Sequence, residues 1–279
     1  MTRPLQLLLL SAAVAATLAA CNRDREADAP PASKADPDAL VTPAEAAAPQ
    51  GLDEKTPWAD IRLSLPDALK AHPDLHARLY AEEVRKLRQF AEGAQGELTE
   101  AGAPTGRPKY ENTVTITTAA ETGKLLSLKR VALDYTGGAH PNTLTSGILW
   151  DKALKRQIGL ADLFRKGADL TALDQALCSA LNAAKRARVP DGASITFDSK
   201  PFACPRVATT PFVLTPGGTP GKAAGLTFLI GPYQAGSYAE GGYEIAVPVV
   251  VFRSLLVVSY NDEFGGQPAR VGDVTPTGG

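Results

Sequence analysis

Between Gly93 and Tyr110 the apolar pattern of this chain changes from a helical period to an alternating one. Few folds accept both patterns side by side except those that lay helices on an antiparallel sheet. On the helical side, Pro73 suits the first position of a helix, where its missing N–H leaves no bond unmade, and Asp74 favours the positive helix end. Tyr80, Val84, Leu87 and Ala91 then recur on one face, with Glu82, Glu83, Arg85, Lys86 and Arg88 expected outward. Gly93 and Gly96 are expected to stop the helix. On the other side, Tyr110, Asn112, Val114 and Ile116 mark one face of a strand. A turn at Glu121-Thr122-Gly123-Lys124 leads into a second strand, Leu125 to Tyr135, and a third runs from about Thr143 to Trp150. Three strands on short connections form an antiparallel meander.

The flanking segments fit the same plan. Trp58, Ile61, Leu63 and Leu65 read as a first strand ended by Pro66. Leu170, Leu173, Leu177, Leu181 and Ala184 form the buried stripe of a second helix, with Asp169 as its N-cap. Residues 190–224 read as loops and short strands, and Leu226–Ile230 and Tyr243–Val247 as further strands. Val249–Leu256 is expected as a short helix or an edge strand. The fold class is therefore α+β, an antiparallel sheet with helices packed on one face.

The chain's start carries a different signal. Arg3, an apolar run from Leu5 to Leu18, and Ala19-Ala20 before Cys21 form a secretory signal, residues 1–20. Its ending resembles that of bacterial lipoprotein signals, which implies that Cys21 becomes the lipidated first residue of the mature protein. At about 14 residues the run is short for a bilayer span, which needs about 20. Residues 21–55 are rich in Ala, Pro and Asp and cannot bury enough surface to offset ordering, so they read as a disordered tether. The folded domain is expected at 56–260, with an N-terminal part at 56–107 and a C-terminal part at 108–257. A flexible Gly/Pro-rich tail is expected at 261–279.

Net charge is −1, which gives no global electrostatic case for nucleic acid or for an anionic membrane surface. Of the three cysteines, Cys178 and Cys204 remain once Cys21 is assigned to the lipid. An oxidising compartment favours a disulfide between them; two buried free thiols are the alternative.

The sequence completes no catalytic motif. His72 and His76 are four apart, but Pro73 stands where a zinc protease needs its glutamate. No Gly-x-Ser-x-Gly or Ser-x-x-Lys occurs. Ala223 follows Gly221-Lys222 where a phosphate loop needs Ser or Thr. No catalytic residue, metal ligand or cofactor is expected. The segment that stands out is Tyr135-Thr136-Gly137-Gly138-Ala139-His140-Pro141-Asn142. Two glycines permit positive φ, and His140-Pro141 stiffens the exit. It reads either as a contact loop with His140 at its tip, or as a turn fixed by local geometry.

That segment, together with Gly147-Ile148-Leu149-Trp150-Asp151 and Ile158-Gly159-Leu160-Ala161-Asp162-Leu163-Phe164, resembles successive landmarks of one extracytoplasmic family. Gly231-Pro232-Tyr233, Tyr238-Ala239-Glu240-Gly241-Gly242 and Ile245-Ala246-Val247-Pro248 are similar to its closing pattern. This is the domain shared by the ectodomain of the anti-sigma-V factor RsiV and the non-catalytic N-terminal region of the peptidoglycan deacetylase PdaC. The resemblance implies a non-enzymatic α+β domain outside the cytoplasm, and its anti-sigma member binds lysozyme. The expectation is a lipoprotein, held by its lipid in the outer membrane and facing the periplasm, that binds or senses a lysozyme-like protein or peptidoglycan. Its contact residues are expected to be Tyr135, Gly137, Gly138, His140, Tyr233, Tyr238 and Glu240. A cell-wall hydrolase or other periplasmic enzyme is one alternative. A structural lipoprotein linking membrane and peptidoglycan is another.

Overall fold

Alternating burial along Ile61, Leu63 and Leu65 makes a strand, as its sequence requires, but that strand has a partner inside the expected tether. In the computed structural model, which describes residues 48–103 and 109–276, β1 (Gly51–Lys55) pairs antiparallel with β2 (Ala59–Ser64). The tether reading of 51–55 is thus corrected: Leu52 packs against the core beneath the next helix. The signal segment, Cys21 and most of the leader lie outside the described residues. All that is described belongs to one compact unit, Pro43–Gly279.

Helix α1 (Pro73–Glu100) begins at the expected proline but passes straight through Gly93 and Gly96. Each glycine costs about 1 kcal/mol in a helix interior. The apolar stripe continues through Ala94, between them, and Leu98, beyond them, both buried, and that burial outweighs the cost. Glu83, expected on the outer face, is only 2% exposed. Arg130 reaches it from the sheet with two hydrogen bonds, 2.9 and 2.7 Å. His76 is also buried, and its ring nitrogen lies 3.1 Å from the carbonyl of Pro49.

The meander forms as its alternation predicts: β3 (Tyr110–Glu121), β4 (Leu125–Tyr135) and β5 (Asn142–Asp151), all antiparallel. A short β6 (Arg156–Ile158) extends it. One pair breaks the antiparallel rule. β2 lies parallel to β3, and α1 is the long crossover such a pair needs. Ile61, Leu63, Val114, Ile116, Leu126, Leu128, Ile148 and Trp150 from this six-stranded sheet meet the α1 stripe in one core.

After the single turn α2 (Leu160–Leu163) comes α3 (Thr171–Arg188). Asp169 caps it from one position earlier than the boundary suggests, accepting hydrogen bonds from the Thr171 N–H and hydroxyl. β7 (Phe212–Pro216), β8 (Ala223–Ile230) and β9 (Tyr243–Pro248) form a second antiparallel sheet. The α+β class holds, with two sheets in place of one and a helix on each: α1 on the first, α3 on β9 of the second. Residues 249–255 fold as two 3-10 turns, followed by α4 (Val258–Asn261). The expected loose tail contains β10 (Gly272–Asp273), paired with β9, so the described part of 261–279 is ordered onto the sheet. Cys178 and Cys204 are joined as a disulfide, Cα atoms 5.3 Å apart, which ties the 190–204 loop to α3. Asn182 reinforces the tie, accepting from the Ile195 N–H and donating to its carbonyl, both at 2.8 Å.

Candidate functional site

Three expected contact residues from two loops distant in sequence meet in one cluster. The β4–β5 connection carries Gly137 and Gly138 at φ +97° and +104°, a conformation that glycine adopts without a Cβ clash. That reversal lets the Tyr135 hydroxyl donate to the Gly138 carbonyl at 3.1 Å and leaves His140 exposed at the loop's end. The opposing loop follows β8. Its first turn, Gly231-Pro232-Tyr233-Gln234, is closed by a bond from the Gln234 N–H to the Gly231 carbonyl. Proline takes the second position, as in a type II turn, and Tyr233 takes the third at φ +65°. Glycine is the usual residue there. A tyrosine stores roughly 1 kcal/mol of backbone strain, and its ring stands 57% exposed.

His140 lies flat on Tyr238, ring centroids 3.6 Å apart and planes 14° from parallel. Tyr233 leans against both, 6.2 Å from His140 and 5.5 Å from Tyr238, with its hydroxyl 3.4 Å from His140 Nε2. The Tyr238 hydroxyl donates to the Pro141 carbonyl at 3.0 Å, which fastens one loop to the other. The three rings therefore form a supported patch, with Tyr135, Gly137 and Gly138 shaping its base.

Glu240 does not join that patch. Its carboxylate turns inward, where Lys185 donates to it at 2.6 Å and the Tyr243 hydroxyl at 2.8 Å. It also accepts from the Ser237 N–H and so closes the 3-10 turn that carries Tyr238. A Cβ at Gly236 would fall 2.3 Å from this carboxylate, so a larger residue there would displace Glu240 from its bonds. Burial acts to raise the Glu240 carboxyl, but the bonds from Lys185, Tyr243 and Ser237 outweigh it and hold it below the usual carboxylate range. Tyr243 is pushed up by its burial and by that same carboxylate. Glu240 is thus a positioning residue, which corrects its expected place on the contact surface.

Sequence reasoning missed the support beneath the patch. Arg188 packs over the Tyr243 ring at 3.9 Å and donates to the carbonyls of Glu240 and Gly242 and to Asp273. Lys185 also donates to the Ala235 carbonyl at 2.6 Å. One signal was present: Lys185 and Arg188 continue the buried stripe of Leu181 and Ala184, where a cation needs a partner.

His72 and His76 do not converge with His140. Among the described residues no group of three or more His, Cys, Asp or Glu side chains comes together in a way that could hold a metal.

No protein-family model and no curated protein matches the chain. Among solved structures, it is similar to a DUF3298 family member from Bacteroides fragilis, 20% identical, with a TM-score of 0.51 over 76% of this chain and 94% of that one. A DUF3298 family protein from Pseudomonas aeruginosa is also 20% identical, with a TM-score of 0.47 over 75% of this chain and 88% of that one. The fold of this chain is thus the α+β fold of the Bacteroides DUF3298 protein.

Proposed function

We propose that this chain is an exported lipoprotein, anchored through Cys21, whose folded domain is a non-catalytic binding or sensing module. Its ligand is a lysozyme-like protein or the cell wall, and its contact surface is the His140–Tyr233–Tyr238 patch. The observation that carries the reading is the pairing of strain with exposure at Tyr233. A tyrosine in a left-handed turn, ring outward, costs stability that glycine would spare, and such costs gather where a residue serves recognition. Aromatic side chains with a polar tip are favoured at binding surfaces because they add large contact area for few rotatable bonds. The resemblance to the RsiV and PdaC extracytoplasmic domains supports the same reading, and so does the signal ending at Cys21.

The test is capture of lysozyme and cosedimentation with purified sacculi, comparing the natural chain with a His140→Ala/Tyr233→Ala/Tyr238→Ala variant. The natural chain retains one of the two ligands and the variant releases it, with circular dichroism unchanged. Equal retention by both proteins, or none by either, overturns the assignment. Mass spectrometry of the membrane-extracted protein tests the anchor: a diacylated or triacylated Cys21 is expected, and an unmodified thiol refutes it.

A further inference from the structure

On a separate surface, cations converge on the segment that follows β9. Arg165 donates to the Ser254 carbonyl, Lys124 to that of Ser259, Lys222 to that of Asp262, and Arg253 to that of Phe264. Four head groups are thereby pinned within one stretch of eleven residues, 254–264. Carbonyl partners orient a cation without neutralising it. Among the described residues none of the four has a carboxylate partner, and neither does the exposed Lys166 beside Arg165. The acids nearby offset only part of this: Asp262 and Asp169 are exposed, Asp162 is paired with Arg156, and Glu263 is buried, accepting from the Thr122 hydroxyl and the Lys124 N–H, so cations remain in excess.

Two further features lie in or next to this stretch of chain. Val258, at the start of α4, is 91% exposed and Val250 is 71% exposed, the two most exposed large apolar side chains among the described residues. Beside Arg165 and Lys166 a cleft of about 370 Å³ opens along α2 and the segment that follows it, with Leu160, Phe164 and Leu170 in its lining. Anionic head groups would meet the cations, and the valines and the apolar cleft would meet acyl chain. A soluble polyanion would leave the apolar features unused.

We infer that this face docks the domain onto a bilayer containing anionic lipids. The whole-chain charge of −1 hides it, because the surplus is local. Cations within a Debye length of such a surface each contribute about 1 kcal/mol, so the attraction is additive and salt-sensitive. The inference does not rest on the acylation of Cys21 or on the aromatic patch.

The test uses Pro43–Gly279, the compact unit that holds both cores, so that neither lipid nor apolar leader contributes. Sedimentation is measured with vesicles of phosphatidylcholine, alone or mixed with phosphatidylglycerol. Binding is expected only to the mixed vesicles and falls as salt rises. Lys166→Gln weakens it about fivefold and Lys166→Glu about 25-fold, the factors that ~1 kcal/mol per unit charge gives. A polarity-sensitive dye on a Val258→Cys variant shifts to the blue on the mixed vesicles. The His140→Ala/Tyr233→Ala/Tyr238→Ala variant binds them normally, which separates this face from the proposed ligand site. Equal binding to both vesicle types overturns the inference, as does indifference to charge at 166 or a dye that stays in water. Inorganic phosphate competing more strongly than sodium chloride at equal ionic strength would mark a phosphate site and overturn it as well.

Discussion

Gly147 on β5 lies so close to the Phe212 carbonyl of β7 that a Cβ would sit 1.7 Å from the oxygen. The two sheets touch backbone to backbone there, and the Ser127 hydroxyl accepts from the Leu214 N–H at 2.9 Å across the same junction. A methyl group at 147 must push β7 off the first sheet. Gly147→Ala is expected to lose at least 2–3 kcal/mol in urea unfolding, the upper part of the range for overpacking. A cost below about 1 kcal/mol would mean that the sheets are not held this close.

Gly96 gives the opposite sign. It sits inside α1 with open space where its Cβ would be. Gly96→Ala should therefore stabilise by about 0.5–1 kcal/mol, as alanine has the lower helix cost and a less disordered unfolded chain. Thermal unfolding of the variant beside the natural chain reads this directly.

At Tyr233 the usual order of glycine and alanine should invert. With φ at +65°, alanine keeps the backbone strain and loses the ring, whereas glycine removes the strain. Tyr233→Gly is expected to be more stable than Tyr233→Ala by about 1 kcal/mol. Both should fail in ligand capture, because both lack the ring.

The buried pair Glu83–Arg130 tests how α1 is held to its sheet. Removing one partner leaves the other charge without compensation in a site with little water. Arg130→Met is expected to cost about 3–5 kcal/mol, and adding Glu83→Leu should recover much of it. Lys86, 3.7 Å from Glu83, supplies the only other cation near this carboxylate among the described residues and cannot replace a two-bond fork. Additive losses in the double variant would show that the two side chains act separately.

Much of the fold was legible because local pattern and tertiary burial agree. Alternation fixed the three strands of the meander, and the Leu173-Leu177-Leu181 stripe fixed α3. The failures share one cause: a distant partner decided the outcome. Nothing near Leu52 announces that it will pair with Leu63, and nothing near Asp273 announces Arg188. Glu83 looks like a surface residue until Arg130 is known to face it. The parallel placement of β2 beside β3 lies in the crossover, which no short-range period records. For the site, the glycines and tyrosines marked both loops, but only the folded chain shows His140 stacked on Tyr238. The inward turn of Glu240 depends on Lys185, 55 residues away along the chain, a partner that no local pattern announces.

Glu240 links acid stability to the aromatic patch. Its folded-state carboxyl lies below its unfolded value, so at neutral pH the ionised form favours the folded chain. That contribution is fully present above the unfolded pKa, about 4.3. It is lost as pH falls through the lower folded value, when protonation removes the charge from the bonds to Lys185, Tyr243 and Ser237. Asp273, held low against its own burial by bonds from Thr275 and Arg188, adds a loss of the same sign that begins below its own unfolded value, about 3.9. Glu240→Gln should therefore destabilise at pH 7 and flatten the pH dependence of unfolding below about 4.3, where the natural chain and the variant converge. The 3-10 turn carrying Tyr238 loosens with it, so tyrosine fluorescence should report a change at the His140 stack before global unfolding. A variant with unaltered acid sensitivity would remove Glu240 from the support of that turn.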